Sequence, residues 1–404
     1  MSRIETFAGD GAARGTAAYR IAYLANDLTD ATVQKRVAML QAGGADVALA
    51  GYRRARAPVT VVRGVCPVDL GQTFDGRLVH RAFNSLLNAT VLGGRLRFVE
   101  GVDVILARNL ETLLVAAVAR RRFATGAHLV YECLDIHSSM IGSGLRSRVL
   151  RWVERWLLDH VSLLVTSSPA FVSQYFTPFQ VWTGKTLLVE NKVLDLGRVD
   201  ATPLVGPAGA RDHASPPWRI GWFGVLRGQT ALDTLCAVAE ALPGQVEIVI
   251  RGRPSTNGFH DFEAQVDATP GVSFLGPYDP SDLPEMYADV HFSWALDLLD
   301  EAGNSAWLLP NRIYEGGIFG AVPICQIGTE TGRWAKRHGL DLQVADPVAD
   351  TIALIGAMTA ERYTSQRVAA AAIPWRTFTC DLNECVRIVQ TMADRPDPDD
   401  HEQK

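Results

Sequence analysis

Short apolar runs alternate with longer amphipathic stretches along this chain, and the alternation occurs twice. In the first series residues 20–25 read as a strand and residues 27–43 as a helix. Residues 47–50, 59–62 and 104–107 read as further strands. Residues 111–123 read as a helix with Leu113, Leu114, Ala117 and Val118 on one face. Residues 129–132, 162–166 and 186–189 complete the series. Strands that alternate with helices are joined by crossovers, which gives a parallel sheet covered on both faces. Residues 201–217 break the pattern: they are rich in Pro, Gly and Ala, include Ser215-Pro216-Pro217, and read as a linker. The alternation then restarts, with strands at 219–223, 246–250, 272–275, 290–294 and 322–326 and a helix at 231–241. The fold class expected is α/β with two Rossmann-like domains, 1–200 and 218–375. A helix at 376–394 and a disordered Pro/Asp-rich tail at 395–404 follow. A chain of 404 residues exceeds what one hydrophobic core usually serves, which supports two domains.

Charge and cysteine usage narrow the class. Lys and Arg exceed Asp and Glu by seven in the first 200 residues, and the remainder is acidic by twelve. A basic first half suits an anionic partner such as a diphosphate or a membrane surface, although chance asymmetry explains it too. None of the six cysteines forms a Cys-x-x-Cys pair, which argues against a zinc or redox motif, and Cys133 and Cys325 sit in apolar runs as core residues. The polar, Gly-rich residues 1–16 do not read as a signal peptide. No run of about 18 apolar residues is present to span a membrane. The expected location is cytoplasmic, with a peripheral position on the inner face of the plasma membrane open; no nucleic-acid partner is expected.

Residues 144–160 form a basic amphipathic helix pattern. Leu145, Val149, Val153, Trp156 and Leu157 fall on one helical face, and Arg146, Arg148, Arg151 and Arg155 fall elsewhere. Arginines and tryptophans in this arrangement suit an anionic bilayer surface. A core-facing apolar stripe with solvated arginines explains the pattern as well and is the favoured reading.

The most specific motif is Leu309-Pro310-Asn311-Arg312-Ile313-Tyr314-Glu315-Gly316-Gly317. Proline suits the first turn of a helix, which puts Asn311 and Arg312 at a helix start, where free N–H groups favour an anion. Glu315 follows about one turn later and could accept from a pair of sugar hydroxyls; the plain alternative is a first-turn acid that complements the helix dipole. In the second series, Gly224 and Gly228 lie in a loop between a strand and a helix, the order of elements that builds a phosphate cradle. Arg227 could grip a diphosphate with its planar fork, or be a surface arginine on an ordinary turn. Asp135 and His137 follow a strand, where open α/β sheets place ligands, and a surface turn is the alternative. No G-x-G-x-x-G follows the first strand, which argues against an NAD or FAD site.

The Pro-Asn-Arg-x-x-Glu stretch resembles the donor site of GT-B glycosyltransferases of family four. With its Leu-Pro-Asn-Arg-x-Tyr-Glu-Gly-Gly form, it resembles more narrowly bacterial exopolysaccharide glycosyltransferases of the succinoglycan type. The resemblance implies two domains facing a central cleft, a donor-binding second domain, an acceptor-binding first domain and a terminal helix that crosses back. It implies a UDP- or GDP-sugar donor, no cofactor or metal, and a saccharide or lipid-linked saccharide acceptor. By the same resemblance Gly224, Arg227, Asn311, Arg312 and Glu315 meet the donor, Glu315 at the ribose, while Asp135 and His137 face the transferred sugar. Arg251 or Arg253 would assist with the diphosphate, and Arg108-Asn109-Leu110-Glu111 resembles a structural or acceptor segment. Two departures stand out. The family's lysine in the Gly-rich loop is absent from Gly228-Gln229-Thr230, and Trp307 occupies the position, eight before Glu315, of a second glutamate. Asn304 and Ser305 are the candidates to take over its role. Two other readings stay open: a sugar-nucleotide 2-epimerase of the same fold, and a non-catalytic sugar-nucleotide-binding assembly subunit.

Overall fold

The computed structural model describes residues 19–54, 57–72, 93–197, 214–255, 258–300 and 303–394. Most of the expected linker and all of the expected tail lie outside the described residues. Contacts divide the chain into two compact units, Met1–Val130 with Asn383–Lys404, and Tyr131–Leu382.

The first series forms a seven-stranded sheet: β1 (Tyr19–Ala25), β2 (Ala45–Arg53), β3 (Val68–Gln72), β4 (Val104–Arg108), β5 (His128–Cys133), β6 (Leu163–Thr166) and β7 (Thr186–Leu188). Its spatial order is β3-β2-β1-β4-β5-β6-β7. A small parallel ladder joins β8 (Val193–Leu194) to β15 (Thr379–Cys380). The second series forms a six-stranded sheet from β9 (Trp218–Leu226), β10 (Val246–Pro254), β11 (Val272–Phe274), β12 (Phe292–Trp294), β13 (Val322–Gln326) and β14 (Gln343–Val344). Its order is β11-β10-β9-β12-β13-β14, with every pair parallel. Both sheets share the doubly wound order, in which the winding direction reverses beside the first strand. In the second sheet that switch point lies between β9 and β12. Its core is strongly aromatic, with Trp218, Trp222, Trp294 and Phe292 at most 1 % exposed.

Several local expectations are corrected. The first helix runs Ala31–Ala42, not from residue 27, because the Asp30 carboxylate accepts from the Thr32 N–H and caps it there. Residues 59–62 make only an isolated bridge, Val62 to Val65. The third strand is instead Val68–Gln72, a polar, Gly-containing edge segment. On helix Asn109–Phe123 the buried positions include Leu113, Ala116 and Ala119, while Leu114, Ala117 and Val118 are only half-buried. The terminal helix Leu382–Ala393 packs beside the end of the first helix: a Cβ at Gly43 would lie 2.5 Å from both Cys385 O and Val389 Cγ2. Helix Leu145–Leu158 buries Ser147, Leu150, Glu154, Leu157 and Leu158, so Leu145, Val149 and Trp156 are not core residues. Among the described residues no helix is long and apolar enough to cross a membrane.

Candidate functional site

The second sheet's switch point gathers most of the residues singled out in the sequence. After β9 the chain turns through Arg227 and Gly228 into helix Gln229–Ala241. Gly224 and Gly228 both have positive φ, +118° and +87°. The facing strand comes so close that a Cβ on Gly252 would lie 1.8 Å from Gly224 O, which requires glycine at that register. Gln229, where a lysine was expected nearby, is fully engaged. Its Nε2 donates to Asp233 Oδ1 and Gln265 Oε1, each at 2.7 Å, and its Oε1 accepts from the His260 N–H at 3.0 Å.

Across the switch point, the chain leaving β12 carries Asp297. The sequence reading missed this residue, although an acid directly after an apolar strand-like run was the available signal. Asp297 Oδ2 lies 3.6 Å from Arg227 Nη2, and its side chain is only 9 % exposed. Its Oδ1 accepts from Ser305 Oγ at 2.6 Å and the Leu299 N–H at 3.2 Å. Ser305 Oγ in turn accepts from the Asp300 N–H at 3.0 Å. Ser305 is thus turned inward to hold Asp297.

Helix Asn311–Ile318 begins beside this network. Pro310 is its N-cap residue, one position before the first turn. Arg312 Nη1 donates to Trp294 O at 2.8 Å and Leu296 O at 3.3 Å, so the guanidinium is tied to the end of β12. Burial pulls its pKa down, and the nearby Asp297 charge opposes that pull. Arg227 acts against it as a second cation. Two guanidiniums around one carboxylate leave a positive excess, which suits an anion.

One helical turn on, Glu315 accepts from Tyr287 Oη at 3.4 Å. Burial, then the Glu315 charge, pushes the Tyr287 and Tyr278 phenols upward, so both keep their protons, and Tyr287 is the donor to Glu315. Neither tyrosine was singled out in the sequence. The Gly316-Gly317 pair serves packing: a Cβ at Gly317 would lie 2.2 Å from Phe378 Cε1, and one at Gly316 would lie 3.2 Å from Tyr287 Cε1. Arg251 is bound to Pro277 O at 3.4 Å and lies 3.9 Å from Asp282 Oδ2, while Arg253 is exposed.

Asp135 and His137 are exposed in the loop after β5, in the same compact unit as the switch-point network. His137 caps the short helix Ser138–Ile141: its Nδ1 accepts from the Ser139 N–H at 3.1 Å. A neutral ring that accepts at Nδ1 carries its proton on Nε2. The neighbouring Ile136 N–H donates to Asn304 Oδ1 at 3.1 Å, so Asn304 joins this loop to the segment before Arg312. Ser168 Oγ donates to Trp307 O, a second tie on the same segment. The position expected to hold a glutamate is therefore an anchoring point, not an acid. Arg108 is buried against Asp30, Thr32 and Tyr23, which gives it a structural role.

With this geometry in place, the relatives fit. A glycosyl transferase 4-like domain matches residues 15–192. The succinoglycan biosynthesis protein ExoL of Rhizobium meliloti (strain 1021) is 40% identical over 377 residues, 93% of each chain. The chain belongs to the glycosyltransferase family of ExoL. Among solved structures, HepE of Anabaena in complex with UDP and glucose matches 93% of this glycosyltransferase and 99% of its own chain, with TM-score 0.64 and 16% identity. The sucrose-phosphate synthase of Thermosynechococcus elongatus matches 92% and 98%, with TM-score 0.65 and 14% identity. The fold is that of the GT-B glycosyltransferases.

Proposed function

We propose that this glycosyltransferase takes a sugar from a UDP- or GDP-sugar and transfers it to a saccharide acceptor, lipid-linked, in the building of an exopolysaccharide. Residues 218–375 act as the donor domain and residues 1–200 as the acceptor domain. The observation that carries the reading is the pairing on one short helix of a half-buried guanidinium, Arg312, with a carboxylate, Glu315, beside the switch point. Arg312 and Arg227 neutralise the leaving diphosphate, with the N–H groups at Asn311 and around Gly224 adding donors. Glu315 accepts from the ribose hydroxyls. Asp297 compensates the charge of the two arginines until the diphosphate arrives, and Ser305 fixes Asp297. His137 donates from Nε2 to a hydroxyl of the transferred sugar or acceptor, with Asp135 beside it. ExoL's part in succinoglycan biosynthesis supports the polymer class of the product.

The test begins with calorimetry of UDP and GDP binding. A carboxylate bonded to a diol contributes about 2–3 kcal/mol, so Glu315→Ala is expected to weaken the preferred nucleotide about 30-fold or more. Arg227→Ala and Arg312→Ala are expected to weaken the diphosphate much more than the nucleoside. Unchanged affinity in folded Glu315→Ala protein removes the ribose assignment. Product analysis with candidate sugar nucleotides and a membrane lipid extract then identifies sugar and acceptor; transfer to free saccharides alone removes the lipid-linked part.

A further inference from the structure

The helix Leu145–Leu158 presents a second amphipathic face that the sheet does not use. Its buried side is fixed by Glu154, whose carboxylate accepts from Tyr131 Oη at 2.8 Å, Gln180 Nε2 at 2.5 Å and Tyr175 Oη. At 100° per residue, the direction opposite Glu154 is occupied by Leu145, Val149, Trp152 and Trp156. These four are 77 %, 50 %, 67 % and 51 % exposed. They form one apolar stripe, three turns long, that points away from the core.

Cations flank it. Arg148 and Arg155 lie along one edge and Arg146 along the other, all exposed. Arg155 Nη2 donates to Phe179 O and Arg151 Nη1 to Met140 O and Gly142 O, so these arginines are braced along the helix. The acids on this helix and its cap are Glu154, buried on the far side, and Asp159 at the C-terminal end. Leucine, valine and two tryptophans bordered by arginines match the acyl–headgroup boundary of an anionic bilayer: the rings take the interface and the guanidiniums the phosphates.

We propose that this face docks on the surface of a bilayer containing anionic phospholipid and lies in the plane of the membrane without crossing it. The proposal does not rest on the donor-site reading, and its test measures no sugar transfer. Charge complementarity selects this occupant: a second copy of the chain would set the same arginines against one another.

The experiment is flotation of the full-length protein with vesicles of phosphatidylcholine alone or with about 30% phosphatidylglycerol, at low and high salt. The wild type is expected to float with the anionic vesicles only and to be released by salt. Trp152→Ser/Trp156→Ser and Arg146→Glu/Arg148→Glu are each expected to lose at least about tenfold in partitioning, with unchanged circular dichroism and thermal midpoint as the folding control. If either pair misfolds, the wild-type indole emission supplies the decision: it is expected to shift to the blue on anionic vesicles. Binding to neither vesicle, or equal flotation of folded variants and wild type, overturns the proposal. So does light scattering that finds a wild-type dimer converted to monomer by Trp152→Ser/Trp156→Ser, because the stripe then joins two copies.

Discussion

Asp297 sits between two cations and makes opposite contributions to the free and the liganded protein. Its charge compensates Arg312, whose guanidinium is half-buried and partly desolvated, and lies 3.6 Å from Arg227. The same charge repels an incoming diphosphate. Asp297→Asn keeps a carbonyl oxygen for Ser305 and removes the charge. The free protein is expected to lose about 1–2 kcal/mol, because a partly desolvated cation loses an opposing charge. The diphosphate then restores that compensation, so the thermal upshift produced by a fixed concentration of UDP or GDP is expected to be larger than in the wild type. Thermal melts of both proteins with and without nucleotide measure the two quantities together. A variant as stable as the wild type, with an equal upshift, would show that the carboxylate does not govern the pair of arginines.

At the scale of elements, helix Asn311–Ile318 owes its position to glycine. Gly317→Ala would put a Cβ 2.2–2.6 Å from three atoms of the Phe378 ring. The backbone there is helical and accepts alanine, so the cost is steric and is expected to be about 1–3 kcal/mol. Phe378→Leu should reduce the penalty in the double variant, and a double-mutant cycle in denaturant measures the coupling. Additive effects would place the strain elsewhere. The Gly-Gly pair was legible in the sequence as part of a motif, but its reason was not, because Phe378 is far along the chain. The same limit explains Asn304 and Ser305. Their polarity near a donor motif was visible, whereas their commitments to Ile136 and Asp297 exist only after folding. Strand β13 was readable to its ends because Val322–Gln326 is buried on both faces and therefore nearly continuous in apolar residues. Strand β3 was not, because an edge strand of sequence Val-Asp-Leu-Gly-Gln has neither an apolar run nor strict alternation. On helix Leu145–Leu158 periodicity identified an apolar stripe and assigned it to the core. The helix has two such faces, and the Glu154 hydrogen bonds decide which one is buried.

For the whole molecule, the repeated doubly wound order gives the chain two switch points from one folding rule, and the second holds the diphosphate machinery proposed here. The loop after β5 belongs to the same compact unit and is tied to the segment before Arg312 by the Ile136–Asn304 bond. That tie predicts a separation of functions. His137→Ala removes the ring that faces outward but leaves the Ile136 N–H and Asn304 Oδ1 in place, so the segment leading to Arg312 keeps its anchor. UDP or GDP affinity is expected to stay within about threefold of wild type, under about 1 kcal/mol. Product formation at saturating donor is expected to fall about tenfold or more, since the lost group acts only where the sugar is transferred. Asn304→Ala reverses the pattern: it spares the imidazole and loosens the segment, so nucleotide affinity is expected to fall. Nucleotide titration and product assay on both purified variants decide the matter. Near-normal transfer by His137→Ala would return that histidine to the role of a helix cap, and normal nucleotide affinity in Asn304→Ala would show that the β12 carbonyls and the Ser168–Trp307 bond hold Arg312 in place without Asn304.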